Sequence, residues 1–150
     1  MREWNEQGNP PDELPAGSIV PGDLLRHKDA RVRLNAARQL IAANGAGPAN
    51  TADSLARLLH DDDHAVRVTA AHGLIGLREK AVRPLLESLA RDVQSVTLRG
   101  SAHRVLLALY EQGCLNSAET LVLHALEGPD PADHAARALP AALHPVTSTK

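Results

Sequence analysis

One phrase recurs along this chain. Asp29-Ala30-Arg31-Val32-Arg33 runs into Leu34-Asn35-Ala36-Ala37 and then Leu40. Asp63-His64-Ala65-Val66-Arg67 runs into Val68-Thr69-Ala70-Ala71 and then Leu74. A worn third copy reads Ser95-Val96-Thr97-Leu98-Arg99, then Gly100-Ser101-Ala102 and Leu106. Val66 lies 34 positions after Val32, and Leu98 lies 32 after Val66. Self-similarity at a period of this size builds a solenoid of repeated units. Each unit is too small to bury its own apolar face, so neighbours stack to bury it. Inside each copy the apolar residues fall at helical spacing.

The rest of the chain divides around these copies. Residues 1–20 hold Gly8-Asn9-Pro10-Pro11, Pro15 and Gly17 among few apolar residues, which predicts a flexible arm with Trp4 as its one large apolar group. Four helix pairs are expected across 21–143, at about 21–46, 51–78, 80–112 and 116–142, before a solvated tail over 144–150. The first pair opens near Pro21 with a shortened helix carrying Leu24 and Leu25, as suits a terminal repeat.

A helix over 30–43 carries Val32, Ala36, Ala37, Leu40 and Ala43, and Asn44-Gly45-Ala46-Gly47-Pro48 stops it. Asn50 or Thr51 caps the next helix, which runs to about Leu59. One of Asp61, Asp62 and Asp63 caps the helix whose inward stripe is Val66, Ala70, Leu74 and Leu77. In the third pair, Pro84 is expected to start or bend the helix of Leu85, Leu86 and Leu89. Two extra residues fall around Arg91-Asp92-Val93-Gln94, and the following helix, about 95–111, is the longest. The fourth pair is degraded. Leu121, Val122 and Ala125 fit its first helix, Gly128-Pro129-Asp130-Pro131 is its turn, and Ala135 and Leu139 fit its second. Ala132 falls where the repeated Arg stood, and Pro140 is expected to break the helix early.

Composition narrows the core and the setting. Hydrophobic residues make 43% of the 150 residues, but aromatics make 1% and Phe is absent, so Leu, Ala and Val must do the packing. Alanine seams let helices approach towards the short end of the usual ~8–10 Å. The net charge of −2 calls for neither nucleic acid nor an anionic membrane. Cys114 is the only cysteine, which excludes an intrachain disulfide and suits a reducing compartment. Met1-Arg2-Glu3-Trp4-Asn5 lacks an apolar signal region, and no apolar run approaches the roughly 18 residues of a membrane span. A soluble, cytoplasmic protein is expected.

The phrase Asp-x-x-Val-Arg-x-x-Ala-Ala, with Leu-Leu before it and Leu after, resembles a HEAT repeat. It is closest to the short HEAT-like repeat named after phycobilisome lyase subunits. The resemblance spans about 21–142, strongest in the first two copies. It implies an all-α fold, a short right-handed superhelix of about four helix pairs whose second helices line a concave face. It also implies that Asp29, Arg33, Asp63, Arg67 and Arg99 form a polar ladder between neighbouring repeats, with Ser95 weakening the third rung. An Arg in a first helical turn opposes the helix dipole by roughly 0.3–1 kcal/mol, and a capping Asp beside it offsets that.

The charges on the second helices have one sign. Arg31, Arg33 and Arg38, then Arg67 and Arg78, then Arg99 and Arg104 appear over 30–44, 64–78 and 97–110 without an acid. Beyond the ladder, Arg31, Asn35, Arg38, His72, Arg78, His103 and Arg104 form the candidate binding face. Its chemistry suits an acidic peptide or acidic protein surface. His60-Asp61-Asp62-Asp63-His64 looks like a metal cluster, but it falls on a turn where Asp is wanted for capping, so no metal is expected. No nucleophile motif, phosphate loop or dinucleotide fingerprint is present, and Cys114 sits at the wrong helix end for thiolate formation. No cofactor and no catalysis are expected. A nucleic-acid-binding helical-repeat protein is one alternative, opposed by the charge and the near absence of stacking side chains. An accessory lyase-like subunit acting on a chromophore protein is another.

Overall fold

Three helices of this protein start in the same way. Asp29 Oδ1 accepts the Arg31 N–H at 2.9 Å, Asp63 Oδ2 the Val66 N–H at 3.1 Å, and Ser95 Oγ the Leu98 N–H at 3.1 Å. Each cap residue is extended, and its side chain satisfies one of the donors that a helix start leaves open. The recurring phrase is thus a recurring helix N-terminus. Of the three candidates in the Asp61–Asp63 run, Asp63 is the cap.

The computed structural model describes residues 22–43 and 51–144. The expected N-terminal arm with Trp4, the start at Pro21, the stop at Asn44–Pro48, the Asn50 cap and the tail beyond His144 lie outside the described residues. Every described element is helical: α1 (Gly22–Leu25), α2 (Ala30–Ala42), α3 (Thr51–Arg57) with a 3-10 turn at Leu58–His60, α4 (His64–Leu77), α5 (Glu79–Arg91), α6 (Val96–Glu111), α7 (Ser117–Glu127) and α8 (Pro131–Leu143). The chain separates into two compact units, Met1–Thr51 and Ala52–Lys150.

In the first unit, α1 is a single four-residue turn packed against α2. Ala36, Ala37 and Leu40 are the buried stripe of α2, at i, i+1 and i+4.

In the second unit, α4 and α6 are neighbours, and the 3-10 turn packs on both. Val66, Ala70 and Leu74 of α4 and Leu98, Ala102 and Leu106 of α6 are all fully buried. Leu77, expected in the α4 stripe, is only half-buried. One residue separates α4 from α5: Arg78 ends the first and precedes the second, at φ 56° and ψ −128°. The longest helix, α6, stops in a Schellman motif. Cys114 N–H donates to Leu109 O and Gly113 N–H to Tyr110 O, with Gly113 at φ 77°. Cys114 and Leu109, the two positions that commonly pack together in this motif, are both buried.

The third and fourth pairs correct three expectations. Pro140 does not break α8, which runs on to Leu143. Proline removes one hydrogen bond, to Ala136 O, and both Ala136 and Pro140 are exposed, so the freed carbonyl is not buried without a partner. Pro84 likewise starts nothing: α5 begins five residues earlier, at Glu79. Leu121 is 60% exposed; Val122 is buried as expected, and Leu123 is buried in place of Leu121. The reason is how the last pair docks. Helix α8 lies against α5, and α7 against α6. Arg83 of α5 donates to Leu143 O at the end of α8, at 3.0 Å.

Candidate functional site

The arginines of the recurring phrase reach backwards. Arg33 Nη1 donates to His27 O at 2.6 Å, Arg67 Nη1 to Asp61 O at 2.6 Å, and Arg99 Nη1 to Val93 O at 2.8 Å. The acceptor is each time six residues upstream, two before the cap. Each guanidinium thus closes its own turn like a strap. The carbonyl it binds offsets the unfavourable meeting of a cation with the positive end of its helix. Counted from the cap, the fourth turn keeps the device in another form. His134 stands four residues after Asp130, and its Nδ1 donates to Pro129 O at 2.7 Å. The Arg is replaced by His134, whereas alignment on apolar residues had pointed to Ala132.

Straps and caps set the first turns of α4 and α6 side by side. A groove of about 300 Å³ opens between them. Helix α4 lines it with His64, Arg67, Val68 and Ala71, and α6 with Val96, Thr97, Gly100, Ser101 and Arg104. Both stripes begin at the first residue of their helix, so the two helices run parallel. The lining holds two arginines, a histidine and two hydroxyls, and no carboxylate. Among the described residues His64 and Arg104 have no hydrogen-bond or ion-pair partner. Val96 stands 74% exposed at the rim.

The structure distributes the sequence-derived binding residues over several places. Arg31, Asn35 and Arg38 are exposed along α2, and Arg31 Nη2 pairs with Asp29 Oδ2 at 3.4 Å. That contact and the Arg31 N–H bond hold the Asp29 carboxyl below its ordinary pKa, the backbone bond contributing most. His72 is exposed on α4. Arg78 reaches the other end of α6, where it donates to Gln112 Oε1 at 3.3 Å and lies 3.5 Å from Gln112 O. A cation at that C-terminus matches the helix dipole. His103 pairs with Glu127 Oε2 at 3.0 Å and so faces α7. Beside it, Tyr110 and His124 meet edge to face, 6.4 Å between centroids. Only Arg104 of the set lines the groove.

Sequence reasoning had placed Arg67 in a ladder and His64 in a turn, and had not singled out Thr97, Gly100 or Ser101. No composition signal separates such residues from an ordinary helix surface; parallel packing of α4 on α6 brings them together. It also passed over the Asn116–Glu119 capping box of α7. There each backbone N–H donates to the other side chain at 2.8 Å, a pattern visible as Asn-x-x-Glu.

Other chemistry is sparse. Among the described residues no three His, Cys, Asp or Glu side chains come together as a metal group, and His60 and His64 are both exposed. Burial pushes the Cys114 thiol up, with the Glu79 carboxylate adding to it. None of the described helices is long and apolar enough to cross a membrane.

A family described as HEAT repeats matches residues 22–111. The match closes at the last residue of α6, just before the pair that docks differently. No curated protein and no solved structure matches the chain.

Proposed function

This chain belongs to the HEAT-repeat family, and on that premise we propose that it is a protein-binding module for an acidic peptide or acidic protein surface. HEAT repeats commonly serve protein–protein interaction and scaffolding, and binding rather than catalysis is the function read here. One observation carries the reading. Helices α2 and α4 contain arginines and no acid, and α6 contains none before its final residue, Glu111. Acids sit on the first helices instead: Asp53 on α3, Glu79 and Glu87 on α5, Glu119 and Glu127 on α7.

The binding residues are Arg31, Asn35 and Arg38 in the first unit, and His72, Arg78, His103 and Arg104 in the second. Asp29, Arg33, Asp63, Arg67 and Arg99 are read as framework, each Arg bonded to a carbonyl of the turn before its own helix. Cap spacings of 34, 32 and 35 residues support the short HEAT-like subtype.

The test is direct binding of a fluorescein-labelled octaglutamate peptide at physiological salt, by anisotropy. The double variant Arg38→Glu, Arg104→Glu should weaken it at least tenfold. Equal affinity in wild type and variant removes the reading. Tighter binding of a single-stranded oligonucleotide, with a steep salt dependence, replaces it with a nucleic-acid one.

A further inference from the structure

We infer that the groove between α4 and α6 is a subsite for a phosphorylated serine or threonine side chain presented by a partner peptide. The inference rests on the protein-binding reading above and names the group that one part of the second unit takes.

The first support is Gly100. It lies in the interior of α6, where glycine is less favourable than alanine by about 1 kcal/mol. A Cβ built on it meets nothing within 4 Å, and its φ is not in the left-handed region. Neither close packing nor backbone conformation therefore asks for glycine. What the missing side chain does is deepen the groove that Gly100 lines.

The second support is the donor set. Arg104 supplies a guanidinium, Arg67 the donors of its guanidinium that Asp61 O leaves unused, Thr97 and Ser101 supply hydroxyls, and His64 adds a ring nitrogen. Arg67 is already held by its bond to Asp61 O, so little side-chain freedom is lost on binding. A phosphate monoester presents three acceptor oxygens and nearly two charges at pH 7; a carboxylate presents two oxygens and one charge. Two guanidinium groups with two hydroxyls match the former better.

The third support is size and wall chemistry. About 300 Å³ is the small end of ligand sites, enough for one side chain and its flanking backbone. Val68, Ala71 and Val96 form an apolar wall suited to a short aliphatic stem. No Phe, Tyr or Trp lines the groove, so the large stacking platforms of single-stranded nucleic-acid sites are missing from it.

The test uses the full-length, 15N-labelled protein and three blocked pentapeptides: Ala-Ala-pSer-Ala-Ala, and its Glu and Ser counterparts. Amide shifts of Thr97, Gly100 and Ser101 should saturate with the phosphopeptide, at least tenfold more tightly than with the Glu peptide. The Ser peptide should produce none. Gly100→Glu starts from a position where a Cβ meets nothing within 4 Å, plants a carboxylate in the groove and should abolish the effect, with the rest of the spectrum preserved. Equal affinity for phosphoserine and Glu peptides overturns the inference, and so does binding that survives Gly100→Glu. A thymidine oligonucleotide that shifts the same amides more tightly also overturns it. If octaglutamate still binds while the phosphopeptide does not, only the inference fails; if neither binds, the protein-binding reading fails as well.

Discussion

The Arg67 guanidinium donates to the carbonyl oxygen of Asp61 at 2.6 Å, across the turn that leads into its own helix. Asp63, between the two in sequence, caps the same helix. Cap and strap act together: one satisfies the Val66 amide at the helix start, the other a carbonyl in the preceding turn. Both bonds are part-buried, which protects them from competition by water.

Removing the strap should be measurable. Arg67→Ala is expected to lower stability by about 1–2 kcal/mol, the usual range for a charge-assisted bond, with Arg67→Lys recovering only part of it. Urea unfolding followed by circular dichroism reads this directly. Arg99→Ala should shift the midpoint in the same direction, since Arg99 makes the equivalent bond to Val93.

The helical glycines should separate by backbone. Gly76 and Gly100 have open space where a Cβ would go, so each Ala variant should gain about 0.5–1 kcal/mol. Gly113 has equal space but a φ of 77°, and Gly113→Ala should lose about 1 kcal/mol. A gain at Gly113 would contradict the Schellman geometry.

Arg78 holds a conformation that favours glycine, at φ 56°. Arg78→Gly relieves strain of about 1–2 kcal/mol and loses two long, exposed hydrogen bonds to Gln112. A net rise in the unfolding midpoint is expected, against the trend for substitutions to glycine elsewhere in helices.

The Asp29 carboxyl has a depressed pKa in the folded chain. Its charged form therefore stabilises the fold above the ordinary Asp pKa, and that contribution fades as pH falls through the depressed value. Asp29→Asn keeps an N-cap side chain but carries no charge. Wild type should exceed the variant in stability near neutrality, and the two should converge in acid. An NMR titration of the carboxyl carbon gives the pKa itself.

For Cys114 the sign is opposite. The raised thiol pKa means the folded state favours the neutral form, fully so below the ordinary thiol pKa. Stability should fall as pH climbs from there towards the raised value. Reaction with a disulfide reagent near pH 8 should be slow in the native protein and fast in urea.

The helices and their starts were legible because their causes are local. Asp29, Asp63 and Ser95 cap helices in place, and the spacing of Val66, Ala70 and Leu74 names the buried side without reference to anything distant. The all-α class and the repeat family follow from the same periodicity. Errors gathered where local rules stop deciding. Pro140 looked like a terminus, yet one lost hydrogen bond on an exposed face does not end a helix that neighbours hold. Leu121 looked like core beside Val122, but the docking of α7 turned Leu123 inward with Val122 and left Leu121 outside. The candidate site shows the same division. Arg104 was legible as a cation on a helix with no acid before its final residue, whereas Thr97, Gly100 and Ser101 carry no signal of their own.

Local patterning thus settled which segments coil, where they begin and which face each hides, since hydrogen bonding and apolar burial at short range leave few choices. Docking settled the partners of each helix: α6 beside α4, α8 beside α5. It thereby created the cationic groove, because a cleft belongs to the space between two helices and is written on neither.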